Sequence, residues 1–401
     1  MTDLYQLKRT PFHERTSRLC LPQNWRRWAG HIAVGSYDLG IEREYWAIRN
    51  GAALIDVSPL MKYLVEGRDA ARLLHRITPR NIHRMSVGQV VYTGWCDEDG
   101  KMLDDGTITR LGETSFRLTS AEPSLRWLHM NAVGMEVTVT ERTEQMAALS
   151  LQGPKSRAVL NACCATPLDG LKYFRMAPNL LAGRAVTISR TGYTGDLGYE
   201  IWMEVADALP VWDALLAAGN DYGIVPCGIL AMDMARVEAG LFMLDVDYTA
   251  ASHAWIPGQK STPLEMGLGW AVNLDKPGYF VGRRALEREA RDGPAWKLVG
   301  LEVDWEGLER LYAEAGLPPQ IPAMAVRASL PILKDGRQVG YASTSTWSPV
   351  LKKYIALVHL ERPHYEPGTR VSLEVTVEHH RRHAPATVVA LPFYEPEWKR
   401  K

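Results

Sequence analysis

The pattern of apolar residues changes between about residues 285 and 295, and this change limits the possible folds. Before it, helical and strand patterns alternate without a strict strand–helix–strand rhythm. From Lys297 onward the pattern is strand-like over residues 298–303, 339–342, 355–358 and 371–377. Such a mixture indicates an α+β protein. A length of 401 residues predicts about two to three domains. We therefore expect an N-terminal arm (1–35), an α+β body (36–285, open to division into two subdomains) and a C-terminal β-barrel domain (286–401).

The balance of charge excludes some classes of partner. The chain has 46 Lys and Arg against 46 Asp and Glu, a formal net charge of zero. Nucleic-acid binders carry a basic excess, so no nucleic-acid partner is expected. No apolar run approaches the roughly 18 residues of a membrane span, so no membrane is expected either.

Cysteine usage favours a reducing compartment. The five cysteines include no Cys-x-x-Cys pair, and the adjacent Cys163 and Cys164 are poorly placed to bridge each other. The first 18 residues lack the apolar stretch of a signal peptide. We therefore expect a cytoplasmic protein without a disulfide framework or a cysteine zinc site.

Several common site motifs are absent. Residues 258–261 lack the glycines of a phosphate-binding loop, and residues 267–270 lack the third glycine of a dinucleotide fingerprint. His379 and His383 have a spacing that could hold a metal on a helix. They stand where a strand runs into a turn, which favours a solvated hairpin tip, so no metal is expected.

A predicted hairpin brings two carboxylates into adjacent positions. Residues 90–96 are typical of a strand, residues 97–100 of a turn, and residues 101–111 of the returning strand. Successive side chains of a strand face opposite sides, so Asp104 and Asp105 cannot share one role. One is expected to face a core or cavity, where a carboxylate needs a partner. The alternative is that both are exposed carboxylates beside the turn.

A second segment, residues 190–200, is rich in glycine and aromatic residues. Three glycines spaced by three predict a tight loop that lets the backbone approach a ligand. Tyr193, Tyr199 and Glu200 would suit a flat heterocycle with ring N–H donors. A β-turn with two core tyrosines explains the same pattern and stays open.

A third segment, residues 226–240, contains Asp233 and Arg236 on one predicted helix face. Arg236 could clamp a carboxylate or support Glu200. Without further information, a surface ion pair is the simpler interpretation.

Together these segments resemble the folate-dependent aminomethyltransferase superfamily, whose namesake is the glycine cleavage T-protein. The resemblance covers about residues 35–390. Each motif is weak alone, and their common order gives the resemblance its weight. The matching stretches are Asp56-Val57-Ser58, Tyr92, 100–105, Leu151-Gln152-Gly153-Pro154, 191–200, 236–240, 268–272, 280–283 and, near the end, Trp347-Ser348-Pro349 with 355–357.

The resemblance implies a multi-domain cloverleaf around a central site for tetrahydrofolate, with a C-terminal β-barrel. Asp105 matches the second residue of the family's Asp-Asp pair, near the folate nitrogens that take the one-carbon unit, and is the expected catalytic residue. Glu200 matches the carboxylate that binds the pterin edge. The other positions that match folate-lining residues are Tyr92, Tyr193, Arg236 and Trp270.

Departures from the T-protein pattern affect the expected donor. Pro59 replaces a common histidine, and residues 230–233 lose an arginine. These changes argue against docking of a lipoyl carrier protein. Residues 9–12, 78–81, 87–89 and 273–276 resemble the dimethylsulfoniopropionate demethylase branch, although that branch alters the second Asp, which this chain keeps.

The leading hypothesis is a tetrahydrofolate-dependent one-carbon transferase that acts on a small methylated or aminomethyl donor, N-, S- or O-linked, with a demethylase-type reaction favoured over glycine cleavage. One alternative is the glycine-cleavage aminomethyltransferase itself. Another is a non-catalytic folate-binding protein of iron–sulfur assembly, which the segment around Cys227 disfavours. A third is the subunit of an oxidative demethylase whose flavoprotein partner is separate.

Overall fold

The computed structural model describes residues 7–400 of the chain. They form two compact units. The first unit consists of residues up to 93, residues 104–232 and residues from 396 onward. The second unit consists of residues 94–103 and 233–395. Each unit is described by itself below.

The part of the chain before residue 240 alternates helices and strands, as expected for an α+β protein. Its elements are β1 (Lys8–Arg9), α1 (His13–Leu19), β2 (Asn24–Trp28), β3 (His31–Ser36), α2 (Glu42–Asn50), β4 (Ala52–Asp56), β5 (Met61–Glu66), α3 (Ala70–Ile77), β6 (Val90–Cys96), β7 (Met102–Arg110), β8 (Ser115–Ser120), α4 (Leu125–Asn131), β9 (Thr138–Glu141), β10 (Met146–Gln152), α5 (Ser156–Cys163), β11 (Met176–Leu181), β12 (Arg184–Ser189), β13 (Gly198–Glu204), α6 (Ala208–Gly219), β14 (Ile224–Pro226) and α7 (Ile229–Glu238).

Three sheets organise these strands, and the segment expected to be an arm contributes the smallest of them, with the order β1-β3-β2. A six-stranded sheet has the order β11-β12-β13-β10-β4-β14. A five-stranded sheet has the order β6-β7-β8-β5-β9.

The six-stranded sheet has one apolar and one polar face, because side chains alternate along each strand. Leu149 on β10 lies opposite Ile201 on β13, and both are buried in the main core of the first unit with Leu54 of β4. On the other face, Ser150 lies opposite Glu200, and Ser189 of β12 is the second neighbour of Glu200. Polar side chains therefore stand on the face turned away from this core.

The five-stranded sheet has the same division. Phe116 and Leu118 of β8 are buried with Tyr63 of β5, whereas Arg117 between them points to the opposite face. The two polar faces meet within the first unit: the Arg117 guanidinium lies 3.9 Å from the centre of the Trp202 ring of β13. The carboxylates of interest project from these facing surfaces.

The side chain of Asp97 closes the turn between β6 and β7 by accepting backbone hydrogen bonds. Oδ1 of Asp97 accepts hydrogen bonds from the backbone N–H of Asp99 (3.0 Å) and of Lys101 (2.9 Å). Gly100 has a φ of +73°, a conformation that suits glycine. The predicted strand–turn–strand is therefore confirmed.

The second unit contains the closed barrel that the strand-like pattern predicted. Its elements are α8 (Arg283–Asp292), β15 (Trp296–Val303), α9 (Trp305–Ala313), β16 (Leu330–Lys334), β17 (Arg337–Ser348), β18 (Lys353–Glu361), β19 (Arg370–Val377) and β20 (His380–Val389). The barrel order is β15-β18-β17-β16-β19-β20, and alternate residues such as Leu301, Val358 and Leu373 fill its interior. His379 lies at the β19–β20 turn, as the hairpin interpretation predicted, whereas His383 lies on β20, opposite Glu374 of β19.

Within the part of the chain that the structure covers, no helix is both long and apolar enough to cross a membrane.

Candidate functional site

Asp104 and Asp105, adjacent on β7, have different environments. Asp104 is buried, and its carboxylate accepts backbone hydrogen bonds from Asp105 (2.7 Å) and Glu122 (3.0 Å). Burial, and after it the neighbouring charge of Asp105, raise the pKa of Asp104 well above its ordinary value. The expected difference in environment is confirmed, and the alternative of two exposed turn carboxylates is wrong.

Asp105 is half-buried and has a hydroxyl donor on its carboxylate. The Tyr92 hydroxyl of β6 donates a hydrogen bond of 2.6 Å to Oδ2 of Asp105. Burial, and then the adjacent Asp105 charge, raise the pKa of Tyr92 well above its ordinary value. Tyr92 therefore stays protonated and holds the Asp105 carboxylate in place.

The glycine-rich loop before Glu200 is fastened to one buried side chain, Gln152 at the end of β10. The Thr194 hydroxyl donates to Oε1 of Gln152 at 2.9 Å, and the Gln152 amide donates to the carbonyl of Thr191 at 3.3 Å. A Cβ at Gly192 or Gly198 would lie 2.1 Å or 2.0 Å from that Oε1. A side chain at either position would therefore force the buried Gln152 side chain, and its hydrogen bonds to the loop, to shift.

Glu200 is partly exposed on the polar face of β13. The Thr191 hydroxyl donates a hydrogen bond of 2.7 Å to Oε2 of Glu200. Burial raises the pKa of Glu200, while the Thr191 hydrogen bond and the Arg117 charge act in the opposite direction. The Glu200 carboxylate therefore lies on the surface that faces β8 and already accepts one hydrogen bond, from Thr191.

The two tyrosines of this loop differ. Tyr199 is fully buried in the main core, and its hydroxyl accepts a hydrogen bond of 2.9 Å from Nε of Arg157. Tyr193 is half-buried in the loop itself. The interpretation of two core tyrosines therefore holds for Tyr199 alone.

Arg236 belongs to a buried polar cluster of the second unit. Its Nε donates to Oδ1 of Asp233 at 2.8 Å, another N–H donates to Asp247, and a third donates to the Thr344 hydroxyl at 2.9 Å. Arg236 and Asp233 are 0% and 1% exposed. The interpretation as a surface ion pair is therefore wrong. A role of Arg236 in folate binding stays a prediction.

Trp270 also belongs to the second unit. It lies in a short helical turn over Gly269–Ala271 and is 63% exposed. Its assignment to the folate site stays a prediction of the resemblance.

Three polar residues of the first unit are additions to the expected set. Gln152 and Thr191 lie inside matched stretches, so their positions could have pointed to them. Arg117 had no such signal, because only the packing of two sheets gives it a role. Within residues 7–400, no group of three or more His, Cys, Asp and Glu side chains is arranged to hold a metal ion.

Two family models match the chain. The GCVT N-terminal domain matches residues 12–276, and the glycine cleavage T-protein C-terminal barrel domain matches residues 297–395.

Among similar proteins, an aminomethyltransferase of Shouchella clausii is 33% identical, over 97% of this chain and 98% of that protein. Others that are 31–35% identical carry the same name. A trimethylamine-oxide aldolase of Ruegeria pomeroyi is 34% identical over 97% of this chain, and the chain spans about half, 47%, of that protein. The crystal structure of aminomethyltransferase T of the glycine cleavage system from Bartonella henselae superposes with a TM-score of 0.81 at 26% identity, covering 97% of this chain and 99% of that one.

Proposed function

Because the chain belongs to the glycine cleavage T-protein family of folate-dependent aminomethyltransferases, we propose that it transfers an aminomethyl-derived one-carbon unit to tetrahydrofolate. Proteins of this family use tetrahydrofolate. The observation that carries the proposal is the placement of Asp105, with its Tyr92 donor, and Glu200 on facing polar surfaces of the first unit.

The choice of donor differs from the preference drawn from the sequence. The sequence alone favours a demethylase-type reaction, but relatives matched over nearly their whole length are named aminomethyltransferase. They support the glycine-cleavage alternative better. Because these relatives are named as enzymes, they also argue against a non-catalytic folate-binding protein.

Glu200 is the residue proposed to bind the pterin ring of tetrahydrofolate. Pterin presents a ring N–H beside an exocyclic amine, and one carboxylate can accept both hydrogen bonds. The hydrogen bond from the Thr191 hydroxyl orients one oxygen of Glu200. The partly exposed carboxylate and its fixed donor fit such a ring, and the half-buried Tyr193 is the proposed aromatic neighbour.

Asp105 is the proposed catalytic residue. Tetrahydrofolate supplies the nitrogens N5 and N10, which accept the one-carbon unit. A carboxylate beside them can stabilise positive charge that develops during transfer. It can also take up and return a proton, while the Tyr92 hydroxyl holds Oδ2 in place.

Arg236 and Trp270 are kept as proposed folate-binding residues on the resemblance alone. Because the N–H groups of Arg236 serve Asp233, Asp247 and Thr344, its contribution is expected to be support of the local backbone rather than a free cationic clamp.

The donor is tested by incubating the full chain with tetrahydrofolate and separate donors: an aminomethyl group on a lipoyl carrier protein, dimethylglycine, dimethylsulfoniopropionate and methoxy-aromatics. Mass analysis separates methylene-tetrahydrofolate from methyl-tetrahydrofolate. Methylene-tetrahydrofolate formed with the lipoyl-bound donor is the expected result. Binding of folate with consumption of no donor would remove the enzyme interpretation.

A second candidate has one observation behind it, the similarity to the trimethylamine-oxide aldolase along nearly all of this chain. In that case the one-carbon unit derives from a methylated amine. Adding trimethylamine oxide to the same donor panel distinguishes the two, because only this candidate consumes it.

A further inference from the structure

Arg117 is a buried cation between the two sheets of the first unit. Its residue exposure is 3%. Nη1 donates to the Thr187 hydroxyl at 3.4 Å, and the guanidinium lies over the Trp202 ring at 3.9 Å. Among the described residues, its Nε has no hydrogen-bond partner. A guanidinium buried with so few hydrogen bonds is costly unless a negative charge lies near it.

The geometry points to Glu200 as that negative charge. Glu200 and Trp202 are two residues apart on β13 and so share the face on which Arg117 lies. Thr187, which receives the Arg117 hydrogen bond, is the cross-strand neighbour of Trp202 on β12. The Glu200 charge favours the cationic form of Arg117, and the Arg117 charge favours the anionic form of Glu200.

The other groups around Glu200 and Arg117 are neutral hydroxyls and a few charged side chains. Ser150 on β10 and Ser189 on β12 lie opposite it and are neutral, and the Thr191 hydroxyl donates to it. Lys62 on β5 is close enough to Arg117 for the Arg117 charge to lower the pKa of Lys62, whereas the Asp56 charge raises it. Burial lowers the pKa of Arg117 to about 10, so it is still a cation at neutral pH.

We propose that Arg117 is a positioning residue for folate binding, whose charge keeps Glu200 ionised and able to accept the N–H groups of the pterin ring. The proposal rests on the proposed function, in which Glu200 binds that ring. A protonated Glu200 would offer a donor where the ligand also offers donors, so loss of its charge weakens binding.

The test measures the dissociation constant of tetrahydrofolate by calorimetry, under reducing conditions, between about pH 6.5 and about pH 9. The proteins are the wild type, Arg117→Met, Arg117→Lys, Glu200→Gln and the double variant Arg117→Met with Glu200→Gln. Arg142→Met is the matched control. Arg142 also pairs with a carboxylate of β13, Glu204 at 3.0 Å, but this pair is solvent-accessible.

Arg117→Met is expected to weaken binding on the order of tenfold at the acidic end, because the pKa of Glu200 rises when the cation is lost. The deficit is expected to shrink to about threefold or less at the alkaline end, where Glu200 ionises again. Arg117→Lys loses less at every pH. In the Glu200→Gln background, Arg117→Met adds no pH dependence that comes from residue 200, since glutamine does not titrate. Any pH dependence left there measures the titration of Lys62, whose pKa is about 7. Arg142→Met behaves as the wild type.

An equal loss at all pH values would show a merely structural role and overturn the proposal, as would unchanged affinity. If Arg117→Met does not fold, Arg117→Lys decides: near-wild-type affinity at the acidic end supports the proposal, and a large pH-independent loss overturns it. Failure of the wild type to bind tetrahydrofolate removes the proposed function, and this inference with it, before any variant is compared. Wild-type binding that Glu200→Gln leaves unchanged removes this inference and the assignment of Glu200 to the pterin ring, but leaves the proposed one-carbon transfer standing.

Discussion

The hydroxyl of Tyr92 donates a hydrogen bond of 2.6 Å to Oδ2 of Asp105. The two residues lie on paired strands of one hairpin, so the contact is set by the strand register and not by a mobile loop. One carboxylate oxygen of Asp105 is therefore held by a fixed donor, which orients the side chain.

Asp105→Asn is expected to reduce the turnover rate by a factor on the order of 10²–10⁴. The reason is that an amide can neither take up a proton nor stabilise positive charge. Tetrahydrofolate affinity should stay nearly unchanged. Steady-state kinetics and calorimetry separate the two effects. Asp99→Asn, in the exposed turn of the same hairpin, is the matched control. Activity retained by Asp105→Asn would contradict the catalytic assignment.

Glu200→Gln is expected to weaken tetrahydrofolate binding by roughly 10–100-fold, since a charge-assisted hydrogen bond contributes about 1.5–3 kcal/mol. Glu204→Gln, on the same strand but exposed, should leave the affinity as it is. Equal affinities for the two variants would be inconsistent with Glu200 as the pterin carboxylate.

Gly198→Ala is expected to destabilise the first unit by about 1–3 kcal/mol and to reduce folate affinity, because its Cβ would lie 2.0 Å from Oε1 of Gln152. Gly170→Ala, whose Cβ would meet nothing within 4 Å, is the control. Urea unfolding and folate titration on both variants check this. A stable Gly198→Ala protein would mean that the Gln152 side chain or the loop can move aside without loss.

Lys62 gives the stability of the first unit a pH dependence. Burial lowers its pKa to about 7, so between that value and the ordinary pKa of 10.5 the unfolded state binds the extra proton. Stability from this group therefore rises with pH. Relative to Lys62→Met, the wild type should gain roughly 2–3 kcal/mol between about pH 6 and about pH 9.

Denaturant unfolding of both proteins at each pH measures this difference. Other titrating groups are common to both proteins and cancel. A difference that is constant, or that falls as the pH rises, would show that Lys62 stays charged in the folded state.

Arg236→Met is expected to destabilise the second unit by about 3–5 kcal/mol, because it leaves Asp233 and Asp247 buried without this cation. Arg327→Met is the matched control: Arg327 also pairs with Asp233, at 2.8 Å, but is 39% exposed, so a smaller loss is expected. Thermal unfolding compares the two. A larger loss for Arg327→Met would reverse the assignment.

The parts of the fold that were predicted from the sequence are those with a local signal. The Asp97 turn, the alternation of Asp104 and Asp105 and the strand-rich barrel each follow from patterns a few residues long. The spacing of Asp233 and Arg236 correctly predicts a pair. Its burial could not be foreseen, because Thr344, which also contacts Arg236, lies 108 residues further along the chain.

Arg117 illustrates the same limit. Its strand was readable from alternation, yet its neighbours Trp202 and Thr187 come from another sheet, more than 60 residues away. A role that depends on the packing of two sheets has no signal within a single stretch of sequence.

The carboxylate of Asp104 accepts backbone N–H groups from Asp105 on one side and from Ala121 and Glu122 on the other. This side chain therefore works as a mechanical link between the strand that bears Asp105 and the segment after β8. A substitution that shifts the backbone at residues 121–122 will displace the Asp105 carboxylate without touching it. With Asp105 as the proposed catalytic residue, such a substitution is expected to change the reaction rate while the proposed folate-binding residues stay the same.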